Sequence, residues 1–559
     1  MRRISDRLVF AASLALGLAA VVTAAPASTD ILLPTQPEAT GFRKSNHFED
    51  VTAYIRELQS RSDKLRVEIL LHTAEGREVP LVVMGDPLPE SPAAALADAR
   101  PVVFLQGNIH AGEVEGKDSL LMLMRDMLFG DKRELLRRNI YLVVPIFNAD
   151  SNERISPQNR SYMPNPEEGV GLRQNSQNYD LNRDYIKTDS REVRAAIARI
   201  ILPWDPLVFV DLHTTDGSYH QETVTYLSPR APNWDEGISG FLWDRLYPAL
   251  TERLAARGIS LLPYGDFVDD FKPELGWSTH PPSPRMGVDY VGFRNRFAVL
   301  VENYAYAPYA TRVKHCYEFV AELSEYVGAH AAEMKALARE ADRRSAGWAA
   351  LPATERPQFC LSVDSGPLDG TLTIQGFACS EIIDSRGRKR PKPILDQPRT
   401  YTLAYHARFT PKTTRPLPAA YLLRTGCETV VAQLLRHGIR VERLTTPARV
   451  TADQFKTATL KVNPWVVEGH ADLTVTGEWQ PQELEAEVGW FLVPMDQPLA
   501  RLIACLMEPE HPDSLAVWNF WNNWITRQWD RDLPPLPLYR LMEAPRLQTR
   551  RAELGDVVY

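Results

Sequence analysis

Cysteine is scarce in this chain, with five residues in 559 and no pair in the Cys-x-x-Cys spacing. The absence of that spacing argues against a zinc site built from cysteine thiolates. In an oxidising compartment Cys360 and Cys379, the pair closest in sequence, could form a disulfide, and the odd count leaves at least one thiol unpaired. We expect a structural role for all five cysteines: Cys316, Cys360, Cys379, Cys427 and Cys505.

Positive charge is also in deficit, because 63 lysines and arginines face 71 acidic residues, for a formal net charge of -8. An acidic protein of this kind is a poor candidate for binding nucleic acid. Apolar residues make up 44% of the chain and charged residues 24%. These values are ordinary for globular proteins, so a disordered or fibrous chain is not expected.

The apolar run near the amino terminus, residues 8–22, is short for the ~20 residues that span a bilayer. It follows three arginines and precedes the small residues that a signal peptidase accepts. We predict that residues 1–24 are a signal peptide and that the protein is exported, to the periplasm or outside the cell, without a stable membrane span. Its removal would change the formal charge from -8 to -10. An uncleaved membrane anchor is the alternative.

From about residue 65 to residue 342, short apolar runs alternate with longer amphipathic segments. This pattern predicts strands covered by helices, and therefore an α/β sheet. Two long polar stretches, residues 150–182 and 258–296, interrupt it, and loops of that length are usually functional. The expected strands are residues 66–71, 80–84, 102–106, 140–145, 207–212 and 297–301, and the expected helices are residues 116–128, 190–201, 238–256 and 313–340.

The composition shifts near residues 343–357, which we interpret as a linker after a catalytic domain of residues 30–342. Residues 358–559 then form a C-terminal accessory domain of mixed α and β structure and unknown role. It carries four tryptophans that could form a sugar-binding platform, although clustered aromatic rings more often fill a core. They are Trp518, Trp521, Trp524 and Trp529.

A candidate metal motif follows the strand predicted at residues 102–106. His110 and Glu113 lie just past the carboxyl end of that strand, where α/β sheets build their sites. An i, i+3 pair on a turn or helix start points one way, so the imidazole and the carboxylate can bind one cation. The alternative is a helix start with an acidic residue near its positive end.

A third ligand is expected at the same edge of the sheet. His213 ends the apolar run of residues 207–212. Two histidines and one carboxylate are a ligand set of catalytic zinc, which keeps a fourth position for water. His220 and His280 are the competing histidines.

A loop between these motifs presents amide and guanidinium groups. Asn182 and Arg183 could hold a substrate carboxylate by paired hydrogen bonds, because guanidinium is planar and always charged. Asp180 could accept a hydrogen bond from a metal-bound imidazole and fix its tautomer. A solvated polar loop with an internal Arg-Asp pair is the alternative.

A carboxylate interrupts the last apolar strand. Glu302 follows Val301 at the end of the run, where its burial is costly unless the charge is paired or used. It could take a proton from a metal-bound water, with a pKa raised by partial burial. An ion pair with Arg294 or Arg296 is the structural alternative.

In their order along the chain, these motifs resemble those of the zinc metallocarboxypeptidases related to carboxypeptidase A, over about residues 45–330. The resemblance implies a mixed α/β central sheet flanked by helices and one zinc ion held by His110, Glu113 and His213. It also implies removal of C-terminal amino acids from peptides with a free carboxylate, with Glu302 as the general base.

By the same resemblance, Arg173 would polarise the scissile carbonyl, and Asn182 and Arg183 would bind the terminal carboxylate. The mobile tyrosine of the family is not assigned, since Tyr264 and Tyr290 both fit, and the preference for basic or apolar side chains stays open. A zinc deacylase or amidase acting on a small N-acyl or cell-wall substrate is the first alternative function. A non-catalytic binding protein of the same fold is the second.

Overall fold

The computed structural model describes residues 33–230, 232–383, 387–525, 533–544 and 546–557. The predicted signal peptide, residues 1–24, lies outside these ranges. In chain order the strands are β1 (Leu65–His72), β2 (Glu78–Met84), β3 (Val102–Gly107), β4 (Ile140–Val144), β5 (Val208–Thr215), β6 (Val224–Leu227), β7 (Leu261–Pro263), β8 (Asp266–Phe267), β9 (Trp277–Ser278), β10 (Phe297–Tyr304), β11 (Gln358–Pro367), β12 (Leu372–Ile383), β13 (Lys389–Leu403), β14 (Tyr405–Pro416), β15 (Ala420–Leu423), β16 (Glu442–Leu444), β17 (Ala448–Val462), β18 (Leu473–Ala486), β19 (Phe491–Pro494), β20 (Leu538–Leu541) and β21 (Thr549–Arg551).

The helices fall mostly in the first two thirds of the chain. They are α1 (Gln36–Ala39), α2 (Phe48–Arg61), α3 (Pro92–Ala97), α4 (Glu115–Leu128), α5 (Glu134–Arg138), α6 (Ala149–Asn152), α7 (Arg191–Ala196), α8 (Leu202–Trp204), α9 (Glu236–Phe241), α10 (Tyr247–Ala255), α11 (Gly287–Phe293), α12 (Tyr309–Ala329), α13 (Ala331–Gly347), α14 (Glu428–Arg436), α15 (Ala500–Met507) and α16 (Asn522–Ile525). Within the described ranges, no helix combines the length and apolar character that crossing a bilayer requires.

An eight-stranded sheet with the order β1-β2-β4-β3-β5-β10-β6-β7 forms the centre of the first part of the chain. Strands β4, β3, β5 and β10 run parallel, while β2 and β6 pair with them in the antiparallel sense. Every residue of β3 and β4 is buried, as expected for central strands covered on both faces. The predicted α/β class and mixed central sheet are confirmed.

Close packing of α4 on this sheet depends on a glycine. A Cβ atom added to Gly116 would lie 2.6 Å from Cβ of Leu212 in β5, so a larger residue would push the helix away. The approach brings the first turn of α4, and the motif that precedes it, against the neighbouring strand.

The helix predicted at residues 313–340 is two helices in the structure, α12 and α13, which meet at His330. The backbone of His330 leaves helical geometry, and its Nδ1 lies 2.8 Å from the carbonyl oxygen of Tyr326. The imidazole thus occupies a carbonyl at the end of α12, a local bond that apolar periodicity does not reveal.

The C-terminal part contains a seven-stranded sheet, β18-β17-β20-β15-β19-β16-β21, with α14 and α15 packed in its core, and so is mixed α/β as predicted. Its strand β14 pairs with β9 of the first part, and the main hydrophobic core continues across both. The division of the chain at residues 343–357 stays a prediction; α13 runs into this stretch and ends at Gly347.

The tryptophans and cysteines have structural surroundings. Trp518 and Trp521 are fully buried and belong to the core, so they do not form an exposed sugar platform, whereas Trp529 lies outside the described residues. All five cysteines are free thiols, so the disulfide considered between Cys360 and Cys379 is not formed.

Candidate metal centre

The turn after β3 is shaped by an asparagine in the left-handed region. Asn108 has φ of +62°, and its Nδ2 donates to the carbonyl oxygens of Ala111 and Glu113 at 3.1 and 3.3 Å. Asparagine tolerates this backbone conformation and closes it with its own side chain. The turn therefore presents His110 and Glu113 together at the carboxyl end of β3.

The register of β5 and β10 brings the other predicted groups to the same edge. His213 and Glu302 are direct partners on these parallel strands, so their side chains lie on the same face of the sheet. Asp211, two residues before His213, shares that face for the same reason. Three adjacent parallel strands thus deliver chemistry at one edge.

The side chains of His110, Glu113 and His213 converge and are almost fully buried. Nδ1 of His110 lies 3.0 Å from one carboxylate oxygen of Glu113, and Nδ1 of His213 lies 2.9 Å from the other. The two Nδ1 atoms are 3.2 Å apart. Tetrahedral ligands at zinc-binding distances lie roughly 3.4 Å from one another, so this donor set fits one zinc ion.

Arg160 is a neighbour of this cluster that the sequence did not indicate. Its Nη2 lies 2.6 Å from Oε1 of Glu113. Burial would raise the pKa of Glu113, but His110 and Arg160 hold that pKa well below its ordinary value. A glycine at position 112 is the sequence feature that fits this contact, because a Cβ atom there would lie 2.9 Å from Nε of Arg160. The glycine between the two predicted ligands makes room for the guanidinium.

The outward nitrogen of His110 has a carboxylate partner. Nε2 of His110 lies 3.0 Å from Oδ1 of Asp180, whose Oδ2 accepts from Nε of Arg173 at 2.9 Å. Burial would raise the pKa of Asp180, but the bond from His110 and the charge of Arg173 keep it below its ordinary value. Asp180 therefore fixes both the imidazole and the guanidinium of Arg173.

A second carboxylate lies beside the outward nitrogen of His213. Oδ2 of Asp211 is 2.9 Å from Nε2 of His213, and Oδ1 of Asp211 accepts from the side-chain amide of Gln106 at 3.0 Å. No role was predicted for Asp211 from the sequence, although a strand places residues i and i+2, here Asp211 and His213, on one face. The period of two could have found it.

The predicted substrate loop lies beside the cluster. The side chain of Asn182 has two neighbours. Its Nδ2 is 3.3 Å from Nε2 of His213, and its Oδ1 accepts from the backbone N–H of Gly287 at 2.9 Å. Arg183 donates to the carbonyl oxygen of Asn182 at 2.9 Å, and both residues line the cavity in front of the cluster.

Glu302 lacks the structural partner considered above. Among the described residues none forms a hydrogen bond with its buried Oε2 atom. Arg294 donates to the carbonyl oxygen of His437 and Arg296 pairs with Asp205, so the proposed ion pair with either arginine is wrong. Burial raises the pKa of Glu302 to about 8, against the lowering effect of nearby His213. The orphaned carboxylate faces the cluster from β10.

An open cavity of about 400 Å³ lies over these groups. Tyr264 and His280 line it, with ring centroids 5.8 Å apart. Tyr290 is fully buried elsewhere and its hydroxyl lies 2.9 Å from Nδ1 of His437, so Tyr264 is the tyrosine at the site. Neither His280 nor His220 joins the ligand cluster; the ring of His220 packs on Tyr304 instead.

Residues 51–198 match the family model of the zinc carboxypeptidases. Over 431 residues the chain is 21% identical to carboxypeptidase 2 of Trichophyton equinum, with 74% of this chain and 73% of that protein covered. Carboxypeptidase 2 of Trichophyton rubrum is 21% identical over 432 residues, with the same coverage. The predicted family resemblance is confirmed.

A solved metallo-carboxypeptidase from Burkholderia cenocepacia is 19% identical, with a TM-score of 0.37 and coverage of 50% of this chain and 68% of its own. The zinc carboxypeptidase match itself contains His110, Glu113, Asn182 and the two arginines beside the cluster, whereas His213 and Glu302 lie beyond residue 198. Over this segment the chain is therefore similar to the zinc carboxypeptidases.

Proposed function

We propose that this protein is an exported, zinc-dependent metallocarboxypeptidase that removes C-terminal amino acids from peptides. One observation carries the proposal: His110, Glu113 and His213 converge to within 4.8 Å, and the orphaned carboxylate of Glu302 faces them from the next strand. Export rests on the signal-like sequence of residues 1–24.

His110, Glu113 and His213 would hold one zinc ion. Bound there, zinc would supply Lewis-acid chemistry, by lowering the pKa of a water and polarising a carbonyl oxygen. Asp180 and Asp211 support this arrangement, because each lies at the outward nitrogen of one imidazole and favours the tautomer that leaves Nδ1 free. Thr214 donates its backbone N–H to Glu113 at 3.0 Å and orients that carboxylate.

Glu302 would be the general base and then the general acid. Its carboxylate takes a proton from the attacking water and returns it to the amine that leaves. Burial and the lack of a competing partner support this role, since a carboxylate already paired with arginine is a weak proton acceptor. A dication at the cluster would favour the ionised form of Glu302 through Coulomb attraction.

The arginines would position the substrate. Arg173 is held by Asp180 at the cavity wall, where its guanidinium can stabilise the charge that develops on the scissile carbonyl oxygen. Arg183 supplies the charge that binds the terminal carboxylate. Asn182 would bind the same carboxylate through its Nδ2, while its Oδ1 accepts the backbone N–H of Gly287 and holds the loop.

The test is to measure zinc content and product masses together. The purified protein should contain about one zinc ion per chain and shorten a defined peptide library stepwise from the C-terminus. The same peptides with amidated C-termini are the matched control and should resist, because Arg183 then has no carboxylate to bind. Cleavage of N-acyl or cell-wall fragments without shortening of free peptides would contradict the proposal and favour a deacylase or amidase.

A further inference from the structure

The tip of the hairpin formed by β17 and β18 reaches from the C-terminal part of the chain to the loop that carries Asp180. Oε2 of Glu468 accepts the backbone N–H of Asp180 at 2.8 Å. Asp180 in turn contacts the predicted zinc ligand His110 through its side chain. Glu468, 288 positions from Asp180 in sequence, is therefore connected to the candidate metal centre through Asp180.

The tip is built to hold Glu468 in place. Glu468 has φ of +51°, in the left-handed region that a residue with a side chain rarely adopts, and Gly469 follows it at +79°. Val467 and His470 close the turn by two backbone hydrogen bonds of 2.7 and 2.9 Å. Such local strain persists when the surroundings determine the conformation, and it often marks functional positions.

A second contact fixes the tip against the catalytic part. Nε2 of His470 lies 2.7 Å from Oδ2 of Asp189, and Nδ1 of His470 lies 3.2 Å from Oδ1 of Asn519. The side-chain amide of Asn519 also donates to the carbonyl oxygen of Ala471 at 3.0 Å. Because both parts of the chain anchor the turn, the position of Glu468 is set independently of its own bond to Asp180.

The N–H of Asp180 needs this acceptor. Asp180 is almost fully buried, and its carboxylate is already used by His110, Arg173 and the backbone N–H of Asn182. A buried N–H that loses its partner is costly, so the backbone of Asp180 would shift toward another acceptor if Glu468 were absent. That shift would move the carboxylate that orients His110.

We propose that Glu468 is a positioning residue of the metal centre, by which the C-terminal hairpin fixes Asp180 and, through it, the imidazole of His110. The inference rests on the proposed zinc site. It gives the C-terminal part a role in metal binding without a direct ligand. Groups that hydrogen-bond to the ligands of a zinc site raise its zinc affinity by about 10- to 100-fold.

Three variants of the full chain test the idea through zinc affinity, measured by competition with a chelator. Glu468→Met keeps the length but removes the acceptor, and should weaken zinc binding about 10-fold. Glu468→Gln keeps an amide oxygen as acceptor and should bind zinc like the unaltered protein. Glu478→Met changes an exposed glutamate of the same hairpin and is the matched control.

A double variant separates positioning from general destabilisation. With Asp180→Ala as background, Glu468→Met should change zinc affinity by less than roughly twofold, because its path to His110 is already lost. The zinc-dependent rise in unfolding temperature, measured without substrate, should follow the same pattern.

Several results would overturn the inference. They are unaltered zinc affinity in Glu468→Met, an equal loss in Glu468→Gln, or a full additional loss on the Asp180→Ala background. In these cases the proposed function stands if the unaltered protein binds zinc and shortens peptides. Absence of zinc binding in the unaltered protein would overturn the proposed function, and this inference with it.

Discussion

Two buried glutamate carboxylates, one in each part of the chain, differ in whether the fold supplies hydrogen-bond partners for them. Glu508 of the C-terminal part is fully buried, and Nε of Arg540 donates to its Oε1 at 3.0 Å while Tyr421 donates its hydroxyl to the same carboxylate. Glu302 of the central sheet has a buried oxygen that no described residue satisfies. One carboxylate has its partners within the fold, whereas the other is left for chemistry.

The difference teaches how to separate structure from function among buried charges. A paired carboxylate such as Glu508 holds two strands, because Tyr421 lies on β15 and Arg540 on β20. An unpaired one is costly and persists where a ligand or a reaction uses it. The comparison predicts that substitutions at the two sites act on different observables.

The largest effect is expected from Glu302→Gln. Removing the proton acceptor should lower kcat/KM for peptides by roughly 10²- to 10⁴-fold, the usual contribution of general acid-base catalysis. Zinc content should be nearly unchanged, and the free energy of unfolding should not fall, because no structural partner is lost and a costly buried charge is removed. Steady-state kinetics, zinc analysis and chemical denaturation check the three parts.

Glu302→Asp is the matched control for charge. It keeps a carboxylate but withdraws it from the cavity, so activity should fall while the net charge stays the same. Full activity in Glu302→Gln would remove the general-base role and with it the functional half of the comparison.

The opposite pattern is expected from Glu508→Gln. Breaking a buried ion pair leaves Arg540 without its counter-charge and should lower the free energy of unfolding by about 3–5 kcal/mol. The folded fraction should retain kcat/KM, because Glu508 belongs to the C-terminal core. Denaturation by urea measures the first quantity and kinetics corrected for folded protein the second. Loss of activity without loss of stability would contradict the structural role.

The sequence revealed the groups that lie in local patterns. Apolar runs predicted the central strands, and the residues at their ends, His110, Glu113, His213 and Glu302, meet at one edge because parallel strands share direction. Each residue needs only to lie at the end of its own strand to reach this edge, so short motifs were enough to indicate the candidate site.

The supporting groups could not be found in this way. Arg160 and Glu468 reach the site across 47 and 288 positions of sequence, from irregular loops without a repeating pattern. Tyr264 could not be chosen over Tyr290 from the sequence. Both lie in the polar stretch of residues 258–296, and no regular pattern there fixes which of them reaches the site. Tertiary packing decides these contacts, and a single sequence carries no direct record of it.

A smaller effect is expected at the carboxylate behind His213. Asp211→Asn should keep the fold but weaken zinc binding by about 10- to 100-fold, since the imidazole loses the charged group that fixes its tautomer. Chelator competition measures the change, and Glu302→Gln on the neighbouring strand β10 is the matched control. Equal zinc affinity in Asp211→Asn and the unaltered protein would contradict the assigned support.

The smallest effect extends the comparison to a third buried carboxylate, Asp289, which lines the cavity with Glu302. Burial raises its pKa to about 8, against the lowering effect of the Ser283 N–H, which it accepts at 2.8 Å. Between the unfolded pKa near 3.8 and this value, the folded state holds a proton that the unfolded state has lost. The free energy of unfolding should therefore fall as pH rises, by at most about 1.4 kcal/mol per pH unit.

Asp289→Asn should remove that contribution, since an amide does not titrate. Urea denaturation between about pH 5 and pH 7 should give a flatter dependence in the variant than in the unaltered protein. The exposed Asp396→Asn is the control and should leave the slope in place. Identical slopes in Asp289→Asn and the unaltered protein would show that Asp289 ionises freely. Of these two cavity carboxylates, Asp289 and Glu302, only Glu302 would then remain as one whose buried charge the fold does not stabilise.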